Sequence, residues 1–187
     1  MPTRAYHYGP MKISLHLLDD QYPAKPIAET RKVSRVFAFN PEGKLAIHLV
    51  SRDDIFGKQS YRESPGGGVD AGESFEMAAI REAKEELGAK ITLLEELGSC
   101  VDFYNLIGRK NENRFFLARI DGYPYAKHAC SSGDTLISRT DYLTGQEALE
   151  AYQKMDDWGV SKLVKQRELP FLRQAIKRMV AYLRDKR

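Results

Sequence analysis

Apolar and polar positions along this chain follow two rhythms, and the switches between them divide it into elements. Residues 11–18 alternate with period two, as a half-buried strand does. Residues 21–26 carry two prolines and predict a connecting loop. Strands return over 33–39 and 45–50, joined by Asn40-Pro41-Glu42-Gly43, whose proline and glycine suit a tight turn. Over 75–87 a helix is predicted, with Ser74 as its N-cap and Gly88 just past its end. Further strands are expected over 91–97, 101–106 and 114–120, with a short one near 135–139. Helices follow over 145–154 and 169–184. The last carries Leu169, Leu172, Ile176, Met179 and Leu183 at three-four spacing, an apolar stripe for the sheet or for a second copy in a homodimer.

Composition narrows the class. With 187 residues, 42% of them hydrophobic, the chain can bury one sizeable core, so a single domain over 1–187 is expected. A net charge of +3 gives no reason to invoke nucleic acid or a membrane surface. No apolar run approaches the roughly 20 residues that span a bilayer, and the first residues lack a signal-peptide core. Cys100 and Cys130 have neither metal-type spacing nor a disulfide framework and read as packing residues, so a cytoplasmic protein is expected.

The chemistry concentrates between Gly67 and Ala89. Glu82, Glu85 and Glu86 share one face of the predicted helix, since residues three and four apart lie about 5–6 Å from each other at Cβ. At about 6 Å and an effective dielectric near 20, two such carboxylates repel by about 3 kcal/mol. A hard dication, Mg²⁺ or Mn²⁺, relieves that repulsion by binding between oxygen ligands. The preceding Gly66-Gly67-Gly68 lets backbone approach a phosphate or a metal closely. A Glu-rich helix taken alone is an ordinary solvated face, and it is the glycine loop before it that shifts the reading to a metal site.

These residues spell a pattern: Gly67, Glu73, then Arg81-Glu82-Ala83-Lys84-Glu85-Glu86-Leu87-Gly88-Ala89. It resembles the Nudix box, departing from it only at Ala83 and Ala89, where the family usually carries bulky aliphatics. The resemblance implies an α/β/α sandwich with a mixed β-sheet, here with a short N-terminal strand segment and a C-terminal helical extension. It implies hydrolysis of a diphosphate linkage in a small nucleotide substrate, with Mg²⁺ or Mn²⁺ as cofactor. By position, Glu82, Glu85 and Glu86 would bind metal with the Gly67 carbonyl, and Glu73 would pair with Arg81 and touch a second metal. Glu85 is the first choice for general base, with Glu86 and Arg81 completing the catalytic set. Many family members recruit a later acid, for which Asp121, Asp134 and Glu112 are weak candidates.

Substrate identity is less legible. The segment 51–62 reads as a loop beside the glycines, in which Arg52, Lys58 and Arg62 suit phosphates, and Phe56 or Tyr61 suits a base or ring. With Gly66 and Gly68 these form the expected substrate wall. His48 reads as a half-buried strand residue and Trp158 as a packing anchor. An ADP-ribose-like or nucleotide-sugar-like diphosphate is the leading substrate class, and a nucleoside triphosphate the second. A non-catalytic nucleotide sensor and a prenyl diphosphate isomerase are the alternatives of other classes. Mg²⁺-dependent turnover would reject the former, and the latter needs an active-site cysteine.

Overall fold

The computed structural model describes residues 12–122 and 136–186. The expected strands and helices form, several of them longer than the apolar pattern indicates. They are β1 (Ile13–Leu17), β2 (Glu29–Phe39), β3 (Leu45–Asp54), β4 (Gly57–Glu63), β5 (Gly66–Gly68), α1 (Phe75–Leu87), β6 (Ile91–Tyr104), β7 (Arg109–Ile120), β8 (Ile137–Leu143), α2 (Gly145–Gln153) and α3 (Gly159–Asp185). A 3₁₀ turn, Asn105–Ile107, joins β6 to β7.

Hydrogen bonding orders the main path of the sheet β1-β6-β7-β2-β3-β4, with β5 added on β2 and β8 on β3. The β1–β6 and β2–β7 pairs are parallel and the others antiparallel, so the sheet is mixed. Even-numbered residues of β2, Val36 and Ala38, pack with Ala79, Ala83 and Leu87 of α1. Odd-numbered Phe37 and Phe39 lie on the other face with α2 and α3, where Phe115 stacks on Phe171 at 4.0 Å between ring centroids. The result is an α/β/α sandwich with a mixed sheet.

One feature of the sheet creates room for a site. β2 and β3 are in register only at Phe39↔Leu45, next to their turn. Beyond that point they part, and β5 pairs with the freed edge of β2 through Val33↔Gly68, Ser34↔Gly67 and Arg35↔Gly66. The glycine segment therefore sits in a wedge between two halves of one sheet.

Four expectations change. Segment 51–62 is not a loop: it is the end of β3, a turn and β4, paired from Asp54↔Gly57 to His48↔Glu63. Residues 91–106 form one strand rather than two, bulged near Leu93/Glu95 and Glu96/Gly98. The last helix begins at Gly159, ten residues before the expected start, and continues through Pro170. Proline lacks an N–H and usually ends a helix, but burial of Phe171, Leu172 and Ala175 on one side and Val160, Leu163 and Val164 on the other holds both halves in line. Trp158 is half exposed, not an anchor.

Candidate active site

Helix α1 is set by its ends. The Ser74 side chain accepts from the Met77 amide, and Gly88 adopts a left-handed conformation (φ 60°) while its N–H bonds the Lys84 carbonyl. Its small apolar residues Ala79 and Ala83 let it lie close against the sheet. That orientation turns Glu82 and Glu86 into the wedge, and both are buried.

Each of the two carboxylates has one oxygen held and one left over. Glu86 Oε2 accepts from the Gly66 amide at 2.8 Å and from His48 Nε2 at 3.0 Å. A carboxylate only accepts, so Nε2 carries the imidazole proton, and Nδ1 faces Thr140 Oγ1 at 2.9 Å. Glu82 Oε1 accepts from Arg81 Nη1 at 2.8 Å. Glu86 Oε1 and Glu82 Oε2 make no hydrogen bond among the described residues. Burial pushes the Glu82 carboxyl above its ordinary value; the neighbouring charges of Glu86 and Glu85 add to that, and Arg81 opposes it. Carboxylate oxygens without hydrogen-bond partners, on two largely buried side chains crowded by like charge, are the donor set a hard dication prefers. Three carboxylate, imidazole or thiol groups do not converge into a finished cage among the described residues.

Gly67 fits tightly against Glu82. A Cβ built there would lie 2.3 Å from Glu82 Oε1. Gly67→Ala is therefore expected to displace the Glu82 carboxylate and lower metal affinity at least about tenfold, in the range that loss of ligand-orienting groups costs. The helix fold should survive, which circular dichroism beside a metal titration would check. Unchanged affinity would mean that the Glu82 carboxylate plays no part in holding the ion.

Arg81 ties the loop to the helix as expected. Its Nε and Nη2 donate to Glu73 at 3.0 and 2.9 Å, and Nη2 also donates to the Gly68 carbonyl at 2.8 Å. Arg81 in turn holds the Glu73 carboxyl below its ordinary value. Glu85 lies 3.4 Å from Arg81 Nη1 with its side chain about a third exposed.

A cavity of about 270 Å³ opens in the wedge. Of the residues singled out from sequence, Gly66, Gly67, Gly68, Glu82, Glu86, Arg52, Phe56 and Tyr61 line it. Glu85, Arg81 and Glu73 stand beside it. Lys58 and Arg62 do not reach it: Lys58 is exposed in register with Asp53, and Arg62 donates to Asp141 at 2.6 Å. Strand alternation explains the sorting, because Tyr61 and Glu63 of β4 face the cavity and Arg62 between them faces away. The expectation that Phe56 stacks on a base is corrected, since Phe56 is buried, its ring face lies under Arg52 at 4.8 Å, and Tyr104 meets it edge-on. Among the weak later acids, Asp121 accepts from Thr92 and Arg119, Glu112 is held by Lys110, and neither lines the cavity; Asp134 lies outside the described residues.

Sequence reading missed the remaining wall. His48 is only 2% exposed and orients Glu86, a stronger role than that of a strand residue. Arg31 and Arg35 from β2, with Arg109, Asn111 and Asn113 from β7, alternate along neighbouring strands and line one side of the cavity, with Arg31 at its exposed rim. Their period-two polar pattern was the available signal. Beneath them Arg167 of α3, 1% exposed, donates to Asp102 at 3.1 Å, Tyr104 Oη at 3.1 Å, Glu63 at 2.9 Å and Glu168 at 3.2 Å. Glu168 accepts from the Ser64 amide at 2.8 Å and from Tyr152 Oη at 2.7 Å, so the C-terminal helix anchors the approach to the glycine segment. Burial also pushes the Cys100 thiol up to about 12, which suits packing and not nucleophilic chemistry.

The charge network sets a pH response. Burial works to raise the Glu63 carboxyl, but Arg35 and Arg167 outweigh it and hold it below its ordinary value of 4.5. A depressed folded-state value stabilises the fold above the unfolded value, and that contribution is lost as pH falls through the folded value. Denaturant midpoints should therefore fall below about pH 4.5, and Glu63→Gln should flatten the decline. An equally steep decline in the variant would remove Glu63 from the response.

Fold and site together define a class: a mixed sheet split by a glycine segment, with a Glu-bearing helix beneath the split. A family model described as NUDIX domain matches residues 29–162, and the chain belongs to the Nudix family. An uncharacterized Nudix hydrolase of Streptomyces coelicolor is 44% identical over 54 residues, which are 29% of this chain and 30% of that protein. The match thus spans less than a third of the relative. Among solved structures, a Nudix hydrolase from Nitrosomonas europaea aligns with a TM-score of 0.58 at 16% identity, covering 82% of this chain and 90% of that one. A MutT protein from Methanosarcina mazei aligns at 0.51 and 18% identity, covering 86% and 98%. At these identities the likeness shows the fold.

Proposed function

We propose that this protein is a dication-dependent pyrophosphohydrolase that cleaves the diphosphate linkage of a nucleoside diphosphate derivative of the ADP-ribose or nucleotide-sugar kind. The observation that carries the reading is the pair of buried carboxylates with unpartnered oxygens against Gly67. Glu82 and Glu86 would hold Mg²⁺ or Mn²⁺ together with the Gly67 carbonyl, while Glu73 keeps Arg81 and the loop in place. A dication bound there would neutralise diphosphate oxygens and lower the pKa of a water.

The chain's own groups do the rest. Arg31, exposed beside Gly68 and without a hydrogen bond or ion pair among the described residues, supplies a free guanidinium for a phosphate oxygen. Arg35 and Arg109 crowd it with like charge, an arrangement that an arriving anion relieves. His48 fixes the Glu86 carboxylate through Oε2 and leaves Oε1 toward the cavity. A carboxylate of this helix face takes the proton from water. Glu86 is better placed for that step than Glu85, which faces Arg81 and lies outside the cavity wall.

No helix among the described residues is long and apolar enough to cross a membrane, and we assign the protein to the cytoplasm, acting on a small-molecule nucleotide. The test is a panel of nucleoside diphosphate derivatives and triphosphates with each dication, in heavy-oxygen water, with products identified by mass. Label in a monophosphate product identifies the attacked phosphorus and supports the reading. Binding of these nucleotides without turnover would favour a sensor instead.

A further inference from the structure

We propose that the buried floor of the cavity is a specificity subsite for a neutral, hydroxyl-bearing group attached to the diphosphate, and that it rejects a terminal phosphate. This rests on the proposed hydrolysis and concerns which end of the substrate enters.

Charge is the first argument. At the buried end of the cavity Arg35, Arg167 and Glu63 line the wall, and Asp102 and Glu168 pair with Arg167 behind it. Each guanidinium is already paired: Arg35 with Glu63 at 2.8 Å, and Arg167 with Asp102, Glu63 and Glu168 at 2.9–3.2 Å. Among the described residues both guanidiniums are engaged by these carboxylates, so a phosphate entering there would have to displace a carboxylate in a desolvated setting. Arg31, which makes no hydrogen bond or ion pair among the described residues, is exposed at the rim beside Gly68. A diphosphate therefore lies along the rim and the glycine segment.

Hydrogen-bonding capacity is the second. Tyr104 Oη accepts from Arg167 at 3.1 Å and Tyr61 Oη from Arg52 at 3.4 Å, and neither hydroxyl donates to an acceptor among the described residues. Burial raises the Tyr104 and Tyr61 pKa values, so both keep their protons. The Asn111 side chain, 5% exposed, makes no hydrogen bond among the described residues. Two hydroxyl donors and one amide that both donates and accepts match vicinal hydroxyls of a sugar.

Shape is the third. The Phe56 face is taken by Arg52, so the floor offers a heterocycle no open stacking surface there. At about 270 Å³ the cavity falls short of the roughly 300–1,000 Å³ that encloses a whole drug-sized ligand. One small moiety enters and the nucleoside stays toward the rim.

Asn111→Leu removes the amide at nearly constant volume without breaking a bond among the described residues. It should raise KM at least tenfold for a nucleoside diphosphate sugar and change that for the matching triphosphate less than twofold. Wild-type enzyme should prefer the sugar-linked diphosphate by kcat/KM at least tenfold. Preference for the triphosphate, or equal losses on both substrates in the variant, would overturn the subsite while leaving pyrophosphate hydrolysis standing. Calorimetry with α,β-methylene analogues of the two substrates reads the same preference without turnover. If neither substrate is cleaved and the analogues bind equally, both readings fall; if neither is cleaved but the sugar-linked analogue binds tenfold tighter, the hydrolytic reading alone falls.

Discussion

Glu86→Gln is expected to lower turnover by at least about 100-fold, with folding nearly intact. Loss of a group that only orients a ligand typically costs 10–100-fold in metal affinity or activity, and removing a general base costs about 10²–10⁴. Glu86 is placed for both roles. It lines the cavity, its Oε2 is locked by Gly66 and His48, and its Oε1 has no partner among the described residues. Glutamine keeps the shape and one carbonyl oxygen, so helix α1 and its caps should be undisturbed. The check is steady-state kinetics at saturating dication beside a thermal melt. Glu85→Gln, made in parallel, separates the two candidate bases: the hundredfold loss should fall on Glu86, and a larger loss at Glu85 would return the proton to the carboxylate favoured by sequence.

Arg167→Met should destabilise the fold by about 3–5 kcal/mol, the typical result of removing one partner from a buried ionic cluster. Three carboxylates, Asp102, Glu63 and Glu168, would lose their common cation at a position 1% exposed. Tyr104 would lose a donor as well. Because Glu168 also accepts from the Ser64 amide, disorder of the cluster should spread to the glycine segment and reduce activity even where the protein stays folded. Urea denaturation measures the first effect. Arg167→Lys, which keeps the charge and loses the fork, should lie between wild type and Arg167→Met. A loss below about 1 kcal/mol for Arg167→Met would show that water or rearrangement compensates the carboxylates.

How far the molecule could be read from its sequence follows from what each element faces. The box helix was legible in full, with both caps, because local signals specify it: Ser74, Gly88 and the acidic three-four spacing. The strands over 33–39 and 114–120 were legible because those residues face the core. Their extensions were not. Glu29–Lys32 and Arg109–Asn113 carry polar side chains because part of each strand lines a polar cavity or faces solvent, so the apolar pattern stops where the site begins. The β3–β4 hairpin was lost for the same reason, its Asp53, Asp54, Lys58 and Gln59 resembling a loop. Pro170 concealed the first ten residues of α3, and with them Arg167 and Glu168. These two lie beyond the stretch that the family model matches, and the contacts they make across the molecule depend on tertiary structure alone.

Glu82, close against Gly67, and Glu86, held by the Gly66 amide, are proposed to bind a dication for attack on a diphosphate. Titration of the protein with Mn²⁺, followed by calorimetry or by the signal of free ion in electron paramagnetic resonance, tests this most directly. Saturable binding is expected, weakened at least about tenfold in Glu82→Gln and in Glu86→Gln. Binding that is absent from the wild-type protein, or unchanged in both variants, would contradict it.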